Sequence, residues 1–299
     1  MLSCCTVDDS LTEITILGDR TRHRGVKAAR IAPQSWTERL GNCSVLPEFN
    51  MIHLGVVDAV PPYRFVRPDL IATTFLACLS GEGRVLVDGE WVPCSSGTAV
   101  LLLPHTTTAY HAVGEEPWTM VWVCYQRSDG LASVATVSSP ALAAYDPTPI
   151  FHAVEGLRAE CACTNDPVCQ REFVTLIHRL ILRYAEPWQR EDRFHQVWEK
   201  VATQLDADWT LDQLAHEARC SGEQLRRLCQ QQLGRSPKQH VTHLRLQYAT
   251  ELLLKTDFKV EYIAVQVGYQ DPFAFSAMFK KWIGCPPSEY RQRRAAVRA

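Results

Sequence analysis

Between Val45 and Tyr125 the chain is written in short apolar runs cut by turn residues: Ile71 to Leu79, Arg84 to Val87, Ala99 to Leu103 and Met120 to Tyr125. Many short strands at close spacing are what this predicts, the pattern of a β-sandwich or barrel. Asp88-Gly89 separates Arg84-Val85-Leu86-Val87 from Glu90-Trp91-Val92, and Asp-Gly suits the tight hairpin turn in which both central residues take positive φ. The pattern loosens from Ser128 to Pro149, with Ser138-Ser139-Pro140 and Asp146-Pro147-Thr148-Pro149 as breakers. Then the period becomes helical. Phe151, Val154, Leu157 and Cys161 repeat at one-turn spacing, as do Phe173, Leu176, Ile177, Leu180, Ile181 and Tyr184, which predicts an antiparallel pair of helices. Pro187 ends the second, and Trp188 to Asp192 is the expected linker.

The last hundred or so residues contain an internal repeat, found by aligning apolar positions. Leu214-Ala215 matches Ile263-Ala264, while Leu225, Leu228 and Cys229 match Phe275, Met278 and Phe279, with one extra residue in the second copy's turn. Each copy reads as a short helix, a tight turn and a second helix, which is helix-turn-helix grammar. Capping residues agree with that frame. Thr210 with Gln213, Ser221 with Gln224 and Ser236 with Gln239 have the spacing of capping boxes. Pro237 sits at a first helical position, Gly268 closes one helix, and Asp271 caps the next with Pro272 at its first position. Between the copies, Ser236 to Lys255 is expected as one helix with Val241, Leu244, Tyr248, Leu252 and Leu253 on one side. Such a helix is about 27 Å long and can hold the two second helices for successive major grooves, about 34 Å apart.

Charge sharpens this picture. Residues 193–299 carry a net +5 and the rest a net −7, within an overall −2. A basic second half suits an anionic polymer. No basic start followed by an apolar run opens the chain, and no stretch reaches membrane-span length, so a cytoplasmic protein is expected. The 12 cysteines are scattered and read as reduced core residues; Cys161, Cys163 and Cys169 lack a paired zinc-ligand spacing. No nucleophile elbow, phosphate loop or catalytic dyad stands out, so neither an enzyme nor a cofactor is expected.

With these residues in view, the C-terminal part resembles the AraC family of bacterial regulators. Carriers include Leu214-Ala215, Ser221, Leu225, Leu228, Gly234-Arg235-Ser236-Pro237, Arg245-Leu246, Ala249, Leu252-Leu253, Ile263-Ala264, Gly268-Tyr269, Phe275-Ser276, Phe279-Lys280-Lys281, Gly284, Pro287 and Tyr290-Arg291. The chain departs from the pattern at Arg219, Cys229 and Ala277. The resemblance implies binding to promoter DNA by both units, with RNA polymerase as a further partner. Once core positions are removed, the first unit offers Glu223, Gln224, Arg226 and Arg227 after the cap Ser221, side chains that pair with base edges. The second offers Phe273, Ala274, Ser276 and Ala277 after the cap Asp271, almost none able to form a bidentate bond. Lys238, Arg245, Lys280 and Lys281 lie where phosphates are expected.

More weakly, the N-terminal part resembles the cupin-like sensing domain found ahead of such DNA-binding domains, through Arg67-Pro68, Gly81-Glu82-Gly83, Asp88-Gly89, Gly97, Pro104, Tyr110-His111, Pro117-Trp118 and Trp122. This implies a small-molecule effector, sugars among the candidates, and a homodimer formed through the helices at 151–185. Trp36, Arg64, His105, His111 and Trp122 are the expected ligand residues, combining aromatic faces with hydrogen-bonding groups. The full expectation is an α+β multidomain chain: a cupin-like β-barrel over 1–150, a helical pair and linker over 151–190, and an all-α double helix-turn-helix domain over 191–299. Two rivals stay open: a metal-dependent cupin enzyme fused to a DNA-binding domain, although no His-x-His is present, and a constitutive DNA-binding protein without ligand.

Overall fold

The computed structural model describes residues 13–29, 36–67, 72–104, 106–126, 139, 141–185 and 193–298. Its N-terminal part consists of two facing sheets, with strands numbered along the chain. One sheet runs in the order β1 (Ile14–Ile16), β5 (Arg64–Arg67), β10 (Thr108–Ala112), β7 (Glu82–Val87), β8 (Glu90–Ser95). The other runs β12 (Leu142–Ala144), β9 (Thr98–Leu102), β6 (Ala72–Ser80), β11 (Trp118–Gln126), β4 (Met51–Ala59), β2 (Arg22–Lys27), β3 (Gly41–Asn42). The expected barrel-like domain thus takes the form of a two-sheet sandwich. Strands β7 and β8 meet at Asp88-Gly89, with φ of 55° and 79°, as the hairpin turn requires.

The seven-stranded sheet is buried on both faces. Met120 and Trp122 of β11 face the other sheet, while Val121, Val123 and Tyr125 face helices α1 (Thr148–Ala162) and α2 (Pro167–Ala185). This is why Met120 to Tyr125 reads as an unbroken apolar run instead of an alternation. The helical stripe expected to bind a second copy belongs mostly to this core: Ile177, Leu180, Ile181 and Tyr184 are buried against the sheet, Phe173 packs beside them, and Leu176 is exposed. The expected linker 188–192 and Pro187 lie outside the described residues.

Seven helices follow: α3 (Arg193–Thr203), α4 (Leu211–Glu217), α5 (Gly222–Leu233), α6 (Pro237–Lys255), α7 (Val260–Gln266), α8 (Pro272–Ile283) and α9 (Pro287–Arg298). Thr210 and Ser236 form complete capping boxes with Gln213 and Gln239. At Ser221 the hydroxyl accepts from the Gln224 amide at 3.1 Å, the first half of a box. Asp271 caps α8 by accepting from Phe273. The long helix α6 serves two cores with different faces. Val241 and Leu244 join Trp198, Leu214 and Leu225 of the first unit, whereas Leu246, Ala249 and Leu253 join Ile263, Phe275 and Phe279 of the second. The single apolar side expected for it is therefore replaced by two, and Tyr248 is exposed.

Candidate functional site

Strand alternation decides what the sandwich interior contains. Successive side chains point to opposite faces, so on β5 Phe65 and Arg67 face inward, and on β10 Thr108 and Tyr110 do. With Trp36, His23, His53, Tyr63 and Trp122 they enclose a cavity between the sheets. The wall is mostly aromatic and its polar atoms are ordered. Trp122 Nε1 donates to His53 Nδ1 at 2.9 Å, and Trp36 stands edge-on to both rings at 5.0 and 6.0 Å. Burial pulls the pKa of His23 and of His53 down to about 4, so both are neutral imidazoles at pH 7. The Tyr63 and Tyr110 phenols hydrogen-bond each other and burial raises both. Arg67 stacks on Phe65 and donates through Nη1 to the carbonyls of Ile14 and Val66 at 3.1 and 3.2 Å.

Of the residues expected to bind ligand, Trp36 and Trp122 line this cavity. Arg64 and His111 do not. They are cross-strand partners on the opposite face of β5 and β10, each one position from a cavity residue, and both stand against Trp91, at 5.9 and 4.7 Å. His105 lies outside the described residues. The cavity residues His23, His53, Tyr63, Phe65, Arg67, Thr108 and Tyr110 were absent from the expectation, because alternation divides β5 and β10 into two faces without saying which one turns inward.

On the helical half, Glu223, Gln224, Arg226 and Arg227 project from the amino-terminal turns of α5, all exposed, beside the cap Ser221. The equivalent turns of α8 expose Asp271, Phe273, Ala274 and Ala277, with Ser276 half-buried and Phe273 85% exposed. Lys238 and Lys280 are exposed, and Lys281 Nζ lies 3.0 Å from Glu90. Arg245 is placed differently from the phosphate contact expected of it. Its Nε and Nη2 donate to the carbonyls of Leu205 and Ala207 at 2.9 and 2.8 Å, and its guanidinium lies over Tyr269.

The sandwich holds the carboxyl ends of α5 and α8, leaving their amino-terminal turns open. The Ala141 amide donates to the Leu233 carbonyl at 2.9 Å, and Thr107 Oγ1 donates to the Ile283 carbonyl at 2.7 Å. Both are last-turn carbonyls that a helix cannot satisfy itself. The next residues, Gly234 and Gly284, have φ of 68° and 97°, and a Cβ there would collide with Leu142 and Thr107 respectively. Beside them the Arg235 guanidinium grips Asp88 with both ends, Nη2 to Oδ1 at 2.8 Å, with Arg235 buried and Asp88 largely covered.

Comparison with known proteins agrees with this geometry. The AraC-like ligand binding domain model matches residues 61–219, and a helix-turn-helix domain model matches residues 214–293. The lactose operon transcription activator of Staphylococcus xylosus is 25% identical over 260 residues, 82% of this chain and 93% of that protein. The raffinose operon transcriptional regulatory protein of Pediococcus pentosaceus is 24% identical over 261 residues, 82% and 94% of the two chains. The MmsAB operon regulatory protein of Pseudomonas aeruginosa is 29% identical over 235 residues, 72% and 74%.

Proposed function

The chain belongs to the AraC family of transcriptional regulators and is a DNA-binding regulator of transcription; from that premise we propose that a small, uncharged, polyhydroxylated effector, a carbohydrate, binds between the sheets and controls it. The aromatic cavity wall carries this reading. Flat rings stack on the C–H faces of a sugar while the imidazoles, phenols and Thr108 meet its hydroxyls. His23 and His53 are neutral, and Arg67, the charged side chain of the wall, is already held by the Ile14 and Val66 carbonyls and by Glu13 at 3.7 Å, which favours an uncharged ligand. Two of the relatives named above govern sugar operons. His111, one of the two histidines that the metal-enzyme alternative would draw on, faces away from the cavity. A homodimer through α1 and α2 would have to use what the sandwich core leaves exposed there, Val168 and Leu176.

The two units are proposed to read DNA unequally. Arg226, Arg227, Gln224 and Glu223 can each pair with a base edge, whereas Phe273, Ala274 and Ala277 can only touch thymine methyls. The second unit then positions the chain through phosphates, met by the amino end of α8, Lys280 and Lys281, with Lys238 in support. The exposed Lys281–Glu90 pair is weak enough to yield to a phosphate. Selection of bound DNA from a random pool tests this. Arg227→Ala is expected to cost about 1–3 kcal/mol of binding and to relax preference at one or two base pairs. A half-site under α8 as sharply specified as that under α5 sinks the asymmetry.

Salt dependence separates the cations. Replacing Lys280 with alanine should weaken all sequences alike and reduce the log-log salt slope by about 0.9, the value for one phosphate. Titrating the full-length chain against the selected site at several salt concentrations measures it, and an unchanged slope removes Lys280 from the phosphate set.

A further inference from the structure

Two adjacent threonines connect the cavity to the DNA-binding half. Thr108 lines the cavity, is only 2% exposed, and its Oγ1 has no hydrogen-bond partner. A buried hydroxyl without a partner is unfavourable, and buried polar groups are almost always satisfied. Its neighbour across the sheet is Arg67, another cavity residue. Thr107, immediately before it, points the other way and donates its hydroxyl to the carbonyl of Ile283, the last residue of α8. Neighbouring peptide units in extended backbone present side chains to opposite faces, so one short segment carries a group for the ligand on one side and a cap for the second unit on the other.

We propose that Thr108 hydrogen-bonds a hydroxyl of the bound effector, and that this contact shifts the Thr107 cap and thereby the orientation of α8 on DNA. The inference rests on the reading of the cavity as the effector site. Occupancy acts on the second unit more than the first, because the first unit's cap is made by the Ala141 amide, whose segment does not line the cavity. A ligand shifts an equilibrium only by its differential interaction with the two states, and the difference proposed is that its hydroxyl meets the unpartnered Thr108 Oγ1 best with the Thr107–Thr108 segment shifted.

The full-length chain is titrated with D-galactose, D-glucose and D-xylose up to about 100 mM, well above millimolar dissociation constants, reading the tryptophan fluorescence, to which Trp36 and Trp122 in the cavity wall contribute. Footprinting of the selected DNA site is repeated with and without sugar. Thr108→Val, which keeps the shape and removes the hydroxyl, should weaken the bound sugar about tenfold, as loss of one hydrogen bond does. Thr108→Ser should restore affinity. Thr107→Val should bind sugar as the parent does, yet lose the sugar-dependent change in protection of the half-site under α8. Equal sugar affinity in Thr108→Val overturns the Thr108 contact while the effector site stands. A preserved sugar response in Thr107→Val overturns the coupling. If none of the sugars perturbs the parent's fluorescence, the carbohydrate reading itself falls, and this inference with it.

Discussion

Arg235→Ala is expected to destabilise the docking of the helical half on the sandwich by about 3–5 kcal/mol, the usual consequence of breaking a buried ion pair by removing one partner. Arg235 follows α5 and Asp88 sits at the β7–β8 turn, and their side chains are only 6% and 13% exposed. Alanine would strand the Asp88 carboxylate in a pocket walled by Leu86, Leu101, Leu102 and Trp282. The exposed Lys281–Glu90 pair along the same hairpin, 52% and 62% exposed, should by contrast contribute at most about 1 kcal/mol. Urea denaturation followed by fluorescence checks the difference. Loss of docking should split unfolding into two transitions, since the sandwich and the helical half have separate cores. Arg235→Lys should lie between, keeping the charge and losing the two-pronged grip. Arg235→Met combined with Asp88→Asn should recover part of the loss, because asparagine keeps the positive φ of the turn and leaves no charge unpaired. A cost for Arg235→Ala no larger than for Lys281→Ala would show that this contact does not hold the halves together.

The features legible in the sequence were those decided by local chemistry. Asp88-Gly89 makes a hairpin because its two residues tolerate positive φ, and Thr210, Ser236 and Asp271 start helices because their side chains reach amides within three residues. The repeat was visible because each unit buries its own apolar set. What escaped was set by partners distant in the chain. Arg64 and His111 have the right chemistry for a ligand, but one step of parity turns them outward and brings Phe65 and Tyr110 in. Nothing local to β5 tells which face will meet the seven-stranded sheet. Likewise Ile177 and Tyr184 form a stripe that fits a second copy or a sheet equally well, and only the position of β4, β6 and β11 decides that the sheet takes it. Arg235 belongs to a recognisable motif, yet its partner Asp88 lies 147 residues earlier.

Arg245→Ala is the second large effect expected, and it separates a structural bolt from a phosphate contact. The side chain leaves α6, donates to the carbonyls of Leu205 and Ala207 beside the first unit, and covers Tyr269 of the second at 5.7 Å. Leu205 belongs to the first core, while Tyr269 packs on the second. Gly268 comes so near that a Cβ there would lie 2.6 Å from both Arg245 and the Leu205 carbonyl, so the two units touch directly around this one guanidinium. Each charge-assisted bond to a half-buried carbonyl is worth about 1.5–3 kcal/mol and the ring contact about 0.5–1 kcal/mol. Since such terms add incompletely, the loss on truncation should be about 2–4 kcal/mol. With the bolt gone, α6 and the sandwich contacts at Leu233 and Ile283 are left to set the separation of the units, and their rotation about α6 is freer. DNA selected by the variant should therefore contain half-sites at more than one separation, where the parent selects a single spacing. The salt slope should stay that of the parent, because no phosphate contact is lost. A slope reduced by about 0.9 with stability and half-site spacing unchanged would falsify the bolt and return Arg245 to the phosphate backbone.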